Sequence, residues 1–253
     1  MESNAIRTVG LSKVFGDVTA VDDLNLSIEK KTFFGLLGRN GAGKSTTISM
    51  LTGTLRPTAG KIFILDRPLD PNDPWFKARM GVVSEEPPLF TRLSAHEQLL
   101  FAGRMFGLTI KEAQRRADIL LDTLRLKNAA KSLICDYSRG MKKKLAIGCA
   151  LIHAPQVLFL DEPFEGVDAT SAATIRLVLE EIAKGGATIL LTTHILEVAQ
   201  KLCHRIAIVH EGKLAYESTM EDLLKTGKNL EEVFSRVSQP KGSKMVMPDW
   251  LTN

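Results

Sequence analysis

Short apolar runs alternate along this chain with longer stretches of helical periodicity, the pattern of a parallel sheet covered by helices. Phe33-Phe34-Gly35-Leu36-Leu37 predicts a buried strand that enters a glycine-rich turn. Further buried strands are predicted at 157–160, 188–192 and 205–209, the second of these leading on to Thr193 and His194. Between about residues 85 and 155 the strand runs stop. Apolar residues there recur at helical spacing, first at Leu99, Leu100, Ala102 and Phe106, then at Ala117, Leu120, Leu121 and Leu124. This predicts a helical insertion in an α/β core. From about residue 218 the chain is charged and helical through 237, then decays into a loose, polar tail. The expected division is a core formed by 1–84 and 156–217, a helical subdomain at 85–155, and a C-terminal extension at 218–253.

Composition narrows the class. The chain has 253 residues, 44% hydrophobic and 25% charged, which suits one large α/β domain or two packed lobes. A net charge of +4 lacks the concentrated basic stripe of nucleic-acid binders, so no nucleic acid is expected as a partner. Three widely spaced cysteines, Cys135, Cys149 and Cys203, form no metal-type pair and read as reduced thiols in core packing. The first nine residues carry no signal-peptide pattern, and no apolar run approaches the ~18 residues that span a bilayer. The expectation is a soluble chain whose membrane role, if any, needs a partner.

The strongest chemical signal is Gly38-Arg39-Asn40-Gly41-Ala42-Gly43-Lys44-Ser45-Thr46, a complete G-x-x-x-x-G-K-S phosphate loop set between a buried strand and a helix. Its glycines let successive backbone N–H groups turn towards phosphate oxygens, and the following helix adds its positive end. Lys44 is expected on the β- and γ-phosphates, and the Ser45 hydroxyl on Mg²⁺. The strand at 157–160 ends in Asp161-Glu162-Pro163, which places two carboxylates on the ligand-binding rim of a parallel sheet. Asp161 suits the Mg²⁺ shell, and Glu162 suits orientation or deprotonation of the attacking water. His194, at another strand end, is placed to hydrogen-bond a γ-phosphate and hold that carboxylate. His96, His153, His204 and His210 read as structural.

These residues resemble the ATP-binding-cassette (ABC) ATPases over nearly the whole chain. Tyr137-Ser138-Arg139-Gly140-Met141 stands where that family carries its signature, usually Leu-Ser-Gly-Gly-Gln, and Gly166-Val167-Asp168 resembles its dimer-contact loop. Phe15 falls where the family sets an aromatic ring against adenine, and Glu85 where it usually has a metal-sensing glutamine. The resemblance implies a P-loop NTPase core, a RecA-like parallel sheet with antiparallel edge strands, carrying the helical subdomain. It implies ATP and Mg²⁺ as cofactors and Glu85 beside the metal. It also implies a head-to-tail pair of ATPase subunits, identical or different, in which Ser138 and Gly140 of one chain contact the ATP of the other. A separate transmembrane subunit would dock on the helical subdomain, and the chain would sit on the inner face of the cytoplasmic membrane. Glu86-Pro87-Pro88-Leu89-Phe90 and Asn229-Leu230-Glu231-Glu232-Val233-Phe234 resemble the exporter-type, ABC-2-like branch.

Two residues depart from the pattern. Arg139 replaces a signature glycine, where small residues allow close backbone approach to phosphate, and predicts slowed closure and turnover. Glu85 replaces the glutamine by an anionic oxygen ligand and predicts altered Mg²⁺ dependence. Both together raise a slower member of a heterodimeric ATPase pair. Lys142-Lys143-Lys144 reads as a solvated face, the Gly-Lys-rich tail around Lys241–Lys244 reads as disorder, and Trp75 and Trp250 carry no motif. Competing functions are an ABC-family ATPase acting on ribosomes or DNA, disfavoured by the single cassette, and a non-catalytic nucleotide sensor, disfavoured by Glu162. A GTPase lacks its Asn-Lys-x-Asp segment.

Overall fold

In a computed structural model, residues 4–227 and 229–238 are described. Three strands come first, β1 (Asn4–Phe15), β2 (Val18–Leu24) and β3 (Ser27–Glu29), followed by β4 (Phe33–Leu37) and helix α1 (Lys44–Leu51). Next are β5 (Ala59–Ile64), β6 (Arg67–Pro68), the one-turn helix α2 (Pro74–Lys77) and β7 (Met80–Val83). Three helices follow, α3 (Ala95–Met105), α4 (Ile110–Thr123) and α5 (Arg139–Leu151). The remainder alternates: β8 (Val157–Asp161), α6 (Ala169–Lys184), β9 (Thr188–Thr193), α7 (Leu196–Leu202), β10 (Arg205–His210) and β11 (Lys213–Thr219). Helices α8 (Met220–Lys225) and α9 (Leu230–Ser238) close the described chain.

The central sheet runs β11-β10-β4-β9-β8-β7, parallel throughout except for β11, which pairs antiparallel at one edge. Its inner strands are buried on both faces because each alternates two apolar sets. Phe33, Leu37, Leu158, Leu160, Ile189, Leu191, Ile206 and Ile208 face one core, shared with α3–α7. Phe34, Leu36, Val157, Phe159, Leu190, Ala207 and Val209 face the other, shared with α1 and a second sheet. Each fully buried side chain of this kind contributes about 1.5–3 kcal/mol. The parallel run of inner strands therefore follows from their burial at nearly every position, whereas the antiparallel edge strand β11 is mostly half-buried.

The second sheet, β2-β1-β5-β6 with β3 also on β1, is antiparallel. No continuous apolar run announced it. Strand β1 mixes buried, half-buried and exposed positions and carries irregular registers against its neighbours. The C-terminal stretch also differs from the expected single helical run. It begins in β11, and α8 and α9 are separated by a turn at Gly227, whose φ is +69°. The expected polar tail beyond residue 238, including Lys241, Lys244 and Trp250, lies outside the described residues.

Side-chain caps fix the helices between the two halves of the sheet. Ser94 and Glu97 form a reciprocal capping box on α3, Thr109 caps α4, and Ser138 caps α5 by accepting from the Met141 N–H at 3.2 Å. Helices α3, α4 and α5 pack on one another and α5 packs on β7, which brings the start of α5 beside the carboxyl ends of β7 and β8. Two expectations fail here. Lys143 and Lys144 are buried rather than solvated, and Lys143 reaches in to the carbonyls of Glu85 and Glu162 in the loops following β7 and β8. Cys135 is exposed, whereas Cys203 is buried and Cys149 half-buried.

Candidate active site

Strand β4 delivers the chain into the 38–46 loop, and the loop turns back because its glycines can. Gly43 has φ +101°, and a Cβ there would meet the Ala20 carbonyl oxygen at 2.4 Å. A Cβ on Gly38 would stand 2.7 Å from the Val209 carbonyl, although one on Gly41, at φ +81°, would meet nothing within 4 Å. The loop is thus packed tightly behind and open in front. Gly43 is also the N-cap of α1 and offers no side-chain acceptor, so the first N–H groups of the helix have no cap from it.

Lys44 is buried, its ammonium donating to the carbonyls of Gly38 at 2.9 Å and Arg39 at 3.2 Å. It also stands 3.2 Å from Glu162 Oε1 in a buried ion pair. That oxygen has no hydrogen bond, so the contact is one of charge rather than of aligned donor and acceptor. Removing one member of such a pair leaves a charge uncompensated, at about 3–5 kcal/mol.

The two carboxylates at the end of β8 are held differently. Asp161 Oδ1 accepts from the Ser45 hydroxyl at 3.1 Å and the Thr192 hydroxyl at 2.6 Å. Glu162 has φ +44°, in the left-handed region that costs a non-glycine residue about 1–3 kcal/mol. Its backbone is pinned there. The Glu162 N–H donates to the Thr192 carbonyl at 3.2 Å and to the Thr192 hydroxyl at 3.1 Å. Its own carbonyl accepts from Lys143 Nζ at 3.1 Å and from the Glu165 N–H at 3.2 Å. The left-handed turn swings the Glu162 side chain off the strand direction towards Lys44 on one side and His194 on the other.

A cavity of about 380 Å³ opens between these groups, lined by Ala20, Asn40, Gly41, Gly43, Lys44, Ser45, Thr46, Glu85, Glu162, Glu165 and His194. The structure therefore brings together most of the residues expected from the sequence. Gly38 and Ala42 are buried at the back of the loop, Arg39 is exposed with its carbonyl turned to Lys44, and Asp161 lies behind Ser45. Phe15 is exposed at the end of β1, outside that lining, with the Lys13 ammonium 5.0 Å from its ring centroid. Ser138 and Gly140 also stand apart, at the start of α5, where a Cβ on Gly140 would meet Ser171 and Asp168 side chains at 2.6–2.7 Å.

The family model for ABC transporters matches residues 21–165. This chain belongs to the ABC transporter family. It is 38% identical over 218 residues to the linearmycin resistance ATP-binding protein LnrL of Bacillus subtilis, covering 86% of this chain and 70% of that one. It is 37% identical over 236 residues to the Nod factor export ATP-binding protein I of Bradyrhizobium diazoefficiens, covering 92% of this chain and 77% of that one. Among solved structures, the ATP-binding subunit of an ABC transporter superposes with a TM-score of 0.85 at 30% identity, covering 93% of this chain and all of the other. The chain is thus the ATP-binding, ATP-hydrolysing subunit of an ABC transporter. Members of the family dimerise and work with transmembrane subunits, and among the described residues no helix is long and apolar enough to cross a membrane.

The donor set of this ABC ATPase fits both ATP and a divalent cation. The front of the glycine loop, the start of α1 and the Lys44 ammonium face one cavity, as a polyphosphate requires. The Ser45 hydroxyl and Asp161 carboxylate, 3.1 Å apart, are hard oxygen donors of the kind Mg²⁺ takes. Three participants escaped sequence reasoning. Thr192, a fully buried hydroxyl directly after the apolar Ile189-Leu190-Leu191, carried a legible signal. Glu165, whose Oε2 lies 3.3 Å from His194 Nε2, carried none, because the contact spans two loops. Lys143 was hidden in a run of like charges. Burial pushes its ammonium pKa down, against the carboxylates of Glu85, Asp161, Glu162 and Glu165, which pull it up.

Proposed function

We propose that this subunit hydrolyses Mg²⁺-ATP with Glu162 as the carboxylate that orients and deprotonates the attacking water. The carrying observation is the placement of Glu162, buried and strained, between Lys44 at 3.2 Å and His194 at 3.1 Å. Lys44 and the backbone of residues 38–46 hold the phosphates, and Ser45 and Asp161 hold the cation, with Glu85 beside it. Mg²⁺, when bound, neutralises charge developing between the β- and γ-phosphates. His194 hydrogen-bonds the γ-phosphate and holds Glu162, and Phe15 supports the adenine.

The same reading divides the chain into a core of 1–84 and 156–217, a helical subdomain of 85–155 and an extension from 218. Ser138 and Gly140 complete the site of a second ATPase subunit, and closure of the pair drives a separate transmembrane subunit. Export is the favoured direction. The relative from Bradyrhizobium diazoefficiens, named for Nod factor export, supports it. The chain then acts as a peripheral protein on the inner face of the membrane.

The test is the Glu162→Gln variant. Hydrolysis should fall by about 10²-fold or more while Mg²⁺-ATP still binds, as expected for loss of a general base. Wild-type turnover in this variant would remove the assignment. Co-purification of a multi-span chain from detergent-solubilised membranes tests the partner, and recovery of ribosomal or DNA-associated proteins alone would reject it.

A further inference from the structure

We propose that Lys143 is a positioning residue for hydrolysis, its buried ammonium tying the loop after β7 to the backbone of Glu162. The proposal rests on the reading of Glu162 as the water-activating carboxylate and asks what keeps that side chain aimed.

Lys143 lies in the second turn of α5, five residues after Ser138, and is only 5% exposed. A lysine is seldom buried so deeply without partners. Its Nζ donates to the Glu85 carbonyl at 2.5 Å and to the Glu162 carbonyl at 3.1 Å. Both acceptors are main-chain oxygens, so the contact fixes backbone and leaves the carboxylates of Glu85 and Glu162 to the cavity they both line.

The Glu162 end of the bridge matters most. At φ +44° this residue keeps an unfavourable conformation only while its surroundings over-determine it. Thr192 holds its N–H side, and Lys143, with the Glu165 N–H, holds its carbonyl side. Releasing the carbonyl lets the peptide after Glu162 rotate, and rotation re-aims the carboxylate. A misplacement of about 1 Å in a reacting group can cost about 10²-fold in rate. The bridge also starts on the helix that Ser138 caps, so a shift of α5 reaches Glu85 and Glu162 together. Phosphate-loop contacts are untouched by it, which separates positioning from binding.

The experiment compares the full purified chain with its Lys143→Met and Lys143→Gln variants in steady-state Mg²⁺-ATP hydrolysis. Glu162→Gln is run alongside. Lys143→Met keeps the apolar length and removes the donors. It should lower kcat at least tenfold with KM for Mg²⁺-ATP within twofold of wild type. Lys143→Gln, which restores N–H donors without charge, should recover kcat to within threefold. Unchanged kcat in Lys143→Met, or a loss carried wholly by KM, overturns the proposal. Should Lys143→Met not fold, Lys143→Leu takes its place under the same criteria: unchanged kcat, or a loss carried wholly by KM, overturns the proposal. If Glu162→Gln keeps wild-type hydrolysis, the failure lies in the reading of Glu162 instead, whatever the lysine variants do.

Discussion

His194 Nδ1 stands 3.1 Å from Glu162 Oε2 on the inner side of its ring. The outer nitrogen, Nε2, stands 3.3 Å from Glu165 Oε2, so one imidazole is gripped by carboxylates on both edges. Glu162 is 6% exposed at its side chain and Glu165 47%, which makes the inner contact the firmer of the two. A γ-phosphate reaching Nε2 has to displace only the exposed partner. The ring can therefore turn its outer edge to the nucleotide without releasing Glu162.

That asymmetry predicts the effects of truncation. His194→Ala should lower kcat by about 10²-fold, the scale of losing one preorganised polar contact in an active site. Glu165→Gln should leave kcat within a few-fold and lower KM for Mg²⁺-ATP, because the competitor for Nε2 has lost its charge. Steady-state hydrolysis of the two variants checks both statements. Equal losses of kcat in the two would show that Glu165 is no mere competitor.

What could be read in advance was whatever is local along the chain. The glycine spacing of 38–46, the apolar run ending in Asp161 and Glu162, and the His194 strand end are each contained within ten residues. They were legible because buried parallel strands are apolar at every position and end at the ligand-binding rim. The β1–β2–β5 sheet was not, since strands buried on one irregular face mix polar and apolar residues freely. Nor was the left-handed backbone of Glu162, a conformation that glutamate side chains do not announce. Lys143 was misread for a related reason. Like charges in sequence suggest a common solvated face, yet neighbours on a helix point about 100° apart, and α5 buries two of its three lysines.

A pH dependence follows from α4. Glu112, in its first turn, accepts from Arg115 Nε at 2.9 Å and from Arg116 Nε at 2.7 Å, and Arg116 reaches on to the Ile152 carbonyl at 2.8 Å. The Arg115 and Arg116 hydrogen bonds pull its carboxyl down from the usual 4.5 to about 2. A depressed folded pKa means that stability from this group is fully present above about pH 4.5 and is lost as pH falls towards 2. Melting temperatures of wild type and Glu112→Gln should therefore differ most near pH 6 and converge as the solution is acidified below 4.5. A gap that stays constant over that range would contradict the assignment.

Arg139 and Gly166 form the last coupled pair. A Cβ on Gly166 would stand 2.9 Å from Arg139 Nη1 and 3.4 Å from its Cδ, and Gly166 itself has φ +65°. The guanidinium thus lies over the bare backbone of the turn that follows Glu165. Gly166→Ala carries two costs: about 1 kcal/mol for a left-handed non-glycine residue, and displacement of the arginine. In an Arg139→Gly background only the first remains, so the two substitutions should be non-additive in thermal stability. If the arginine also holds the signature segment away from a partner's nucleotide, Arg139→Gly should lower the barrier by about 1 kcal/mol, about fivefold faster turnover in the assembled transporter. Additive stability changes would show that the contact carries no energy, and unchanged turnover would show that Arg139 does not restrain closure.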